Sequence, residues 1–326
     1  MDSYVLRLLL TAIFLFIFER IYFLVAIFYK ILDKPNERSS HSVTTIRGGG
    51  IIFPVSILLY AIFFNWSAPF FLSGLLLISF VSFVDDIHPV SSKVRLMIHV
   101  LSVLLLSYQL SLFEFNLLFS AILLVIGIGI INAINFMDGI NGITGAYAFI
   151  TLLTLGFIDK YVLNFVDINF ILVATISSLI FLVFNFRKRA TCFAGDVGSV
   201  GIAFILLFLL TKLILTSGTG IYILMLFVYG LDTVTTIIFR ISRKENIFLP
   251  HRSHFYQFLV NTKGYSHLWV TSLYAVAQLI LNLILLSLSS YSSMIVITIF
   301  GLIAVLFLFI RFRLEGRKAL LGVISN

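Results

Sequence analysis

Long apolar stretches, separated by short polar breaks, follow one another along the whole chain. They cover residues 4–29, 48–64, 70–84, 96–112, 115–131, 140–158, 169–186, 200–215, 221–239, 267–289 and 294–312. A helix needs about 20 mostly apolar residues to cross a bilayer, and a recurrent pattern of such stretches is typical of polytopic membrane proteins. The chain is therefore predicted to be an all-α, polytopic integral membrane protein with about 10–11 transmembrane helices.

The composition strengthens this interpretation. Hydrophobic residues make up 60% of the chain and charged residues 11%, whereas soluble domains are about half apolar and a quarter charged. No polar stretch is long enough to form a soluble domain, so residues 1–326 are predicted to form a single transmembrane domain. Cys192 is the only cysteine, which excludes an internal disulfide and a cysteine zinc cluster.

Positive charge is distributed unevenly between alternate breaks. One set of breaks contains Lys34, Arg38, Arg47, Lys93, Arg95, Arg187, Lys188, Arg189, Arg240, Arg243, Lys244, Arg252, Lys263, Arg311, Arg313, Arg317 and Lys318, and the other holds little beyond Arg7 and Lys160. Lys and Arg accumulate in cytoplasmic loops, so the N-terminus is predicted to lie outside and the C-terminus in the cytoplasm. The chain has a net charge of +8, and its longest run of basic residues is three. We therefore expect contact with anionic lipid and no nucleic-acid partner.

Most chemically active side chains fall in the predicted cytoplasmic breaks. The first break contains Arg38, His41 and the run Arg47-Gly48-Gly49-Gly50. Arginine binds phosphate with two parallel hydrogen bonds, and glycine lets the backbone approach a ligand at the start of a helix. Alone, this segment is equally explained by lipid headgroup contact and helix packing.

The second break joins an adjacent carboxylate pair, Asp85-Asp86, to Lys93 and Arg95. Adjacent carboxylates repel each other unless a cation neutralises them, so the pair is suited to hold a metal ion or to supply a general base. Helix capping is the alternative, but an Asp pair at the membrane interface is costly without a role.

The third and fourth breaks combine amides, carboxylates and glycines. The third contains Asn135, Asp138 and Asn141, and the fourth contains Asn185 and the run Gly195-Asp196-Val-Gly-Ser199. Amides bind bases, sugars and phosphate oxygens, and Mg²⁺ prefers one or two carboxylates plus substrate phosphates. Polar turns and a capped helix start are the alternatives.

The fifth break carries His251, Arg252 and His254, an arrangement suited to clamp a diphosphate and otherwise typical of a solvated surface. Two further ionisable residues, Glu19 and Asp232, lie within predicted spans, where charged groups are functional hypotheses by default.

Taken together, these segments resemble the polyprenyl-phosphate N-acetylhexosamine-1-phosphate transferase family, also called glycosyltransferase family 4. The matching segments, in family order, are Asp33-x-Pro-x-x-Arg38-Ser-Ser-His41 with Arg47-Gly-Gly-Gly, Asp85-Asp86 with Lys93, Asn135-Phe-Met-Asp138-Gly139-x-Asn141-Gly142, Phe184-Asn185, Gly195-Asp196-Val-Gly-Ser199 and His251-Arg-Ser-His254. The last segment is similar to the branch that primes O-antigen-type glycans in lipopolysaccharide biosynthesis and cell wall biogenesis.

The resemblance implies a transfer of sugar-1-phosphate from a UDP-sugar, such as a UDP-N-acetylhexosamine, to undecaprenyl phosphate, with release of UMP. It implies an Mg²⁺-dependent enzyme, with Mn²⁺ as a substitute, in the bacterial inner membrane with its active site on the cytoplasmic face. A homodimer is common in the family. The rival from another class is a secondary transporter of an anionic solute, which would carry ionisable groups near the bilayer midplane on internal repeats.

The resemblance also implies roles for individual residues. Asp196 would hold the metal, helped by Asn185 or Asp138. Asp85, beside Asp86, would deprotonate the lipid phosphate, and Lys93 and Arg38 would bind it. The remaining substrate contacts are assigned to His41, Arg47, Asn135, Asp138, Asn185, His251, Arg252 and His254.

Overall fold

A computed structural model describes residues 3–34, 43–65, 67–247, 249 and 251–322. The helices are α1 Ser3–Phe28, α2 Ile52–Phe63, α3 Pro69–Ile87, α4 Ser92–Gln109, α5 Leu117–Met137, α6 Ile143–Tyr161, α7 Ile168–Asn185, α8 Gly195–Ser217, α9 Phe227–Ser242, α10 Phe255–Asn261, α11 His267–Leu288, α12 Ser293–Glu315 and α13 Arg317–Leu321. Short 3₁₀ segments occupy Gly49–Ile51, Leu112–Glu114 and Gly220–Leu226. Two short antiparallel strands, β1 Leu32–Asp33 and β2 Thr45–Ile46, flank the first polar break.

The prediction of an all-α polytopic membrane protein is confirmed. Within the described residues, 9 helices are long and apolar enough to cross a membrane, and one of them joins Gly220–Leu226 to α9. The other two predicted spans also form helices. The first, α2, is only 12 residues long, or about 18 Å at 1.5 Å per residue. The second, α4, carries several polar and basic residues, including Lys93, Arg95 and His99.

Contacts between helix ends show that the helices alternate in direction. At one end, the C-terminal part of α3 reaches the start of α8, where Asp86 accepts hydrogen bonds from the backbone of Asp196 and Val197. At the opposite end, the start of α3 meets the end of α4, where the Phe70 N–H donates to Gln109. We call these the site end and the far end.

The last helices continue the alternation. The start of α11 carries His267 at the same cavity as Asp196, and the end of α12 carries Arg311, which bonds to the Ser253 carbonyl. The first residue of α1 and the last residue of α12 therefore lie at opposite ends of the bundle. The prediction that the site end is cytoplasmic rests on the Lys and Arg distribution and stays a prediction.

Burial differs sharply between helices. In the most apolar 18-residue stretch of each helix, 83% of the residues of α8 and 11% of the residues of α12 are buried. Because α8 is apolar on every side and enclosed by its neighbours, its first turn lies at the centre of the site end. The position of Asp196 on that turn follows from this packing.

Candidate active site

A cavity of about 430 Å³ opens at the site end of the bundle. Among the predicted site residues, its walls include Arg47, Asn135, Asp138, Asn185 and Asp196. Its walls also include Asp33, Arg95, Asn141, Gln257 and His267. Polar segments that are far apart in the sequence therefore meet in one place, as the alternating helix directions require.

Both carboxylate oxygens of Asp86 accept hydrogen bonds from neighbouring protein groups. Its side chain is fully buried. Its Oδ1 accepts hydrogen bonds from Arg47 Nε at 2.7 Å and from the Asp196 N–H at 2.8 Å, and its Oδ2 accepts one from the Val197 N–H at 3.0 Å. A carboxylate at a helix N-terminus satisfies free N–H groups and complements the helix dipole. Asp86 thus fixes the first turn of α8, and with it Asp196.

Glycine is required on both sides of this contact. Gly195 adopts φ +69°, and a Cβ there would lie 2.5 Å from Asp86 Oδ2. A Cβ on Gly50 would lie 2.3 Å from the Cα of Gly198, so the glycine run after Arg47 packs directly on the backbone of α8. The glycines predicted to let backbone approach a ligand instead let two backbone segments approach each other.

Asp85, by contrast, shares a cation with Asp196. Arg95 Nη1 donates to Asp85 Oδ2 at 2.7 Å and to Asp196 Oδ2 at 3.2 Å. The other oxygen of Asp85 accepts from the Val90 N–H at 2.5 Å. The side chains of Asp196 and Arg95 are 21% and 37% exposed, which leaves both open to the cavity. Two carboxylates thus converge on one positive group.

Asp138 and the asparagines form the opposite wall. Asp138 Oδ1 accepts from Thr144 Oγ1 at 2.7 Å, and Asn135 Oδ1 accepts from Ser199 Oγ at 2.7 Å. Burial among protein atoms raises the pKa of Asp138 to about 6, although the hydrogen bond from Thr144 opposes the shift. Both residues line the cavity, and the second oxygen of Asp138 and the amide nitrogen of Asn135 make no hydrogen bond to the described residues.

Both polar atoms of the Asn185 side chain form hydrogen bonds with the backbone. Its Oδ1 accepts from the Gly142 N–H at 2.6 Å, and its Nδ2 donates to the Cys192 carbonyl at 2.7 Å. The side chain therefore joins the third and fourth breaks, and one lone pair of Oδ1 is left for its predicted help in metal binding.

The three residues of the fifth break have different surroundings. His254 is 2% exposed, and its Nδ1 lies 3.4 Å from Asp232 Oδ1, so it faces the protein interior. His251 is half-buried against Phe136, and burial lowers its pKa to about 4, helped by the charges of nearby His254 and Arg240. Arg252 is exposed and lines a second cavity that shares Gln257 with the first. The rings of His251 and His254 nevertheless stack with their centroids 5.0 Å apart, so the structure brings the two histidines together, and the diphosphate clamp stays a prediction.

The remaining predicted residues lie outside this cluster. Lys93 is exposed and has no hydrogen-bond or ion-pair partner among the described residues. Arg38 and His41 lie outside the residues that the structure describes. Glu19, flagged within a span, is buried with Oε1 3.8 Å from the Cys192 sulfur, behind the glycine run.

Comparison with known proteins identifies the arrangement. Residues 68–214, which contain the Asp85-Asp86 pair and Asp196, match glycosyl transferase family 4. A probable undecaprenyl-phosphate N-acetylglucosaminyl 1-phosphate transferase of Bacillus subtilis (strain 168) is 28% identical over 263 residues, which is 74% of this chain and 73% of that protein. Residues 68–214 thus match glycosyl transferase family 4, and the chain as a whole is similar to polyprenyl-phosphate sugar-1-phosphate transferases.

Shorter matches join the chain to a second group of enzymes. The phospho-N-acetylmuramoyl-pentapeptide-transferase of Streptococcus pneumoniae (strain CGSP14) is 40% identical over 97 residues, 29% of this chain and 28% of that protein. The corresponding enzyme of Streptococcus pneumoniae serotype 2 is 30% identical over 183 residues, 47% of this chain and 55% of that protein. The chain thus spans about half or less of these relatives.

The chemistry of the cavity fits a divalent cation that is held partly by substrate. The described residues contain no group of three or more His, Cys, Asp or Glu side chains arranged to hold a metal ion. Asp85 and Asp196 nevertheless converge on a single cationic nitrogen of Arg95. Two carboxylates match Mg²⁺, which usually completes its coordination with water and substrate phosphates.

The sequence analysis noted the positive charge of Arg95 but did not select it as a site residue. Lys93 and Arg95 are two residues apart on α4, and side chains at that spacing point to opposite sides of a helix. Only one of them can face Asp85, and the structure selects Arg95. Asp33, Gln257 and His267 were also not selected as site residues. Asp33 and Gln257 stand at the first and last positions of the region that carries the resemblance, which was the available signal for these two, whereas His267 lies beyond it.

Proposed function

We propose that the protein transfers a sugar-1-phosphate from a UDP-N-acetylhexosamine to undecaprenyl phosphate, giving undecaprenyl-diphospho-sugar and UMP. The observation that carries this proposal is the convergence of Asp85 and Asp196 on Arg95, beside a cavity lined by Asp196 and Arg95, in a membrane protein that matches family 4 over residues 68–214. The name of the Bacillus relative supports an N-acetylglucosaminyl donor as the first to test. The priming of an O-antigen-type glycan remains a prediction, because the names of the relatives do not mention it.

The reaction joins two anions, so charge repulsion is its main obstacle. A phosphate oxygen of the lipid attacks the phosphorus that bears the sugar, a new P–O bond forms, and the bond from that phosphorus to the bridging oxygen breaks. The electron pair leaves with UMP. Catalysis of phosphoryl transfer consists largely of positioning and electrostatic stabilisation.

The cavity supplies groups for each task. Arg47 and Arg95 are the cations that would bind phosphate oxygens, and Asp85 would accept the proton of the lipid phosphate once its bond to Arg95 is exchanged. Asp196, with Asp138, would hold Mg²⁺, which when bound neutralises diphosphate charge. Asn135, Asp138 and Gln257 offer hydrogen-bonding groups to the nucleotide sugar.

A secondary transporter is a weaker interpretation of the same residues. Transporters bind substrate near the bilayer midplane, whereas Arg47, Asp85, Arg95 and Asp196 gather at one end of this bundle. The match to family 4 points in the same direction.

The test is the release of UMP by purified protein from a panel of UDP-sugars. We expect release with at least one UDP-N-acetylhexosamine that depends on undecaprenyl phosphate, is abolished by EDTA and returns with Mg²⁺ or Mn²⁺. Glu114→Gln, which removes an exposed charge at the far end, serves as the control and should behave like the wild type. Absence of release with every donor, or release that is independent of the lipid acceptor, would refute the proposal.

A further inference from the structure

Asp232 is a fully buried carboxylate that the proposed chemistry does not use. It lies on α9, and its Oδ1 accepts from the Phe255 N–H at 2.9 Å. Its Oδ2 accepts from the Tyr256 N–H at 3.2 Å and from Tyr274 Oη at 2.6 Å. Asp232 therefore closes the first turn of α10, the helix that directly follows His251, Arg252 and His254.

Arg311, on α12, contacts the same part of the chain, the segment of residues 251–257. It is 1% exposed and is the largest fully buried side chain among the described residues. Its Nη1 donates to Thr235 Oγ1 at 2.8 Å and to Thr236 Oγ1 at 3.0 Å, and lies 3.9 Å from Asp232 Oδ1. Its Nη2 donates to the Ser253 carbonyl at 3.1 Å.

The charge of Arg311 is balanced within its own surroundings. Its Nε donates to Glu315 Oε1 at 2.5 Å, one helical turn along α12, and its guanidinium lies 5.1 Å from the ring of Phe239. Thr236 completes the network, since its hydroxyl accepts from Arg311 and donates to Asp232 Oδ1 at 3.2 Å. A buried guanidinium is costly in a membrane protein unless such partners satisfy it.

The position of these contacts argues for a role beyond holding α12 in place. Of the groups bound by Asp232 and Arg311, the N–H of Phe255, the N–H of Tyr256 and the carbonyl of Ser253 belong to the segment and not to a spanning helix. This segment in turn contacts the cavity. Tyr256 Oη donates to the Phe136 carbonyl at 3.1 Å, and Gln257 lines the cavity itself.

We propose that Asp232 and Arg311 are positioning residues that set the place of residues 251–257 beside the nucleotide-sugar cavity. This inference rests on the proposed function for its kinetic consequence. The two side chains touch no substrate. They act through the backbone of Ser253, Phe255 and Tyr256, so their loss should weaken donor binding more than it slows the chemical step.

The test compares Arg311→Met with Arg313→Met in the full-length protein. Arg313 lies on the same helix, is exposed and contacts the ring of Phe309, so it is a matched control. Because Arg311→Met removes the hydrogen bonds that fix Ser253 and the start of α10, we expect it to raise the KM for the UDP-sugar about tenfold or more, with a smaller change in kcat. Arg313→Met should match the wild type.

Hydrogen exchange separates positioning from loss of fold. In Arg311→Met, the amides of α10 should exchange faster than in Arg313→Met, while those of α6 and α8 keep wild-type rates. Arg311→Lys, which keeps the charge but reaches fewer acceptors, should give intermediate values of KM and exchange. Thr236→Val, which removes the shared hydroxyl, should reproduce both effects more weakly and serves if Arg311→Met does not fold.

Unchanged KM and exchange in the Arg311 or Thr236 variants would overturn the inference. An equal rise of exchange in α6, α8 and α10 would overturn it as well, because the network would then hold the bundle and not the segment. The exchange comparison needs no substrate. It therefore still decides the positioning role if no donor supports UMP release, and the two proposals fail separately.

Discussion

The two ends of the bundle use aspartate in different ways. At the far end, Asp159 Oδ1 accepts from the N–H groups of Phe165 and Val166, each at 2.9 Å, and Asp167 caps the start of α7 while it accepts from Tyr60 Oη. These carboxylates close loops and helix ends. At the site end, Asp86 does the same for α8, but Asp85 and Asp196 share Arg95 beside a cavity.

The comparison teaches that an aspartate at a helix boundary does not by itself indicate function. What distinguishes the groups is the number of backbone N–H groups that bond to the carboxylate, which is two for Asp86 and for Asp159 but one for Asp85. By that criterion, Asp86 resembles Asp159 more than it resembles its neighbour Asp85. The adjacent pair in the sequence is thus divided between Asp86, which holds the start of α8, and Asp85, which shares Arg95 with Asp196 and which we propose takes part in the chemistry.

The largest expected effect is an all-or-none difference in labelling between the ends. Lys93 and Glu114 are exposed at opposite ends of α4, and Cys192 is fully buried. A membrane-impermeant maleimide added to intact cells should label Glu114→Cys and not Lys93→Cys, because the basic site end is predicted to be cytoplasmic. The wild-type protein should stay unlabelled. Labelling of Lys93→Cys from outside would invert the topology.

The next largest effect concerns Asp85. If this carboxylate takes the proton of the lipid phosphate, Asp85→Asn should lower kcat by about 10²–10⁴-fold, while UDP-sugar binding measured by calorimetry stays near the wild-type value. Lost binding with an unchanged kcat would assign Asp85 to the donor site instead.

Asp86→Asn should affect stability and activity together. The substitution removes the ionic partner of Arg47, whose side chain is 34% exposed, and weakens the cap of α8, which typically costs about 1 kcal/mol. We expect a lower melting temperature in detergent and a loss of activity that follows the displaced first turn of α8. A variant with wild-type melting and no activity would instead make Asp86 a catalytic group.

Much of this arrangement could be predicted from the sequence. Apolar stretches of membrane-spanning length indicated the helices, and the gathering of His, Asp and Arg in alternate breaks indicated one chemical end. The division between Asp85 and Asp86 could not be predicted, because neighbouring residues of a helix point about 100° apart and the choice depends on how α3 packs against α8. The burial of His254 was also hidden, since its partner Asp232 lies on another helix.

The smallest expected effect belongs to His251. Burial lowers its pKa to about 4, so between pH 5 and 8 the ring stays neutral and supplies no positive charge to a diphosphate. His251→Gln should therefore change the KM for the UDP-sugar by no more than about twofold, whereas Arg252→Gln, which removes a charge, should raise it more. An equal rise of KM in the two variants would support the predicted clamp.

The central claim is that carboxylates whose oxygens accept several backbone hydrogen bonds stabilise the fold, whereas the carboxylates at the cavity take part in the transfer. It is tested most directly by measuring kcat and melting temperature on the same preparations of Asp196→Asn and Asp159→Asn. Asp196→Asn should lose at least about 100-fold in kcat with little change in melting temperature. Asp159→Asn should melt a few degrees lower and keep its kcat, because two loop N–H groups lose a charged acceptor. Wild-type kcat in Asp196→Asn, or an equal loss of kcat in both variants, would contradict the account.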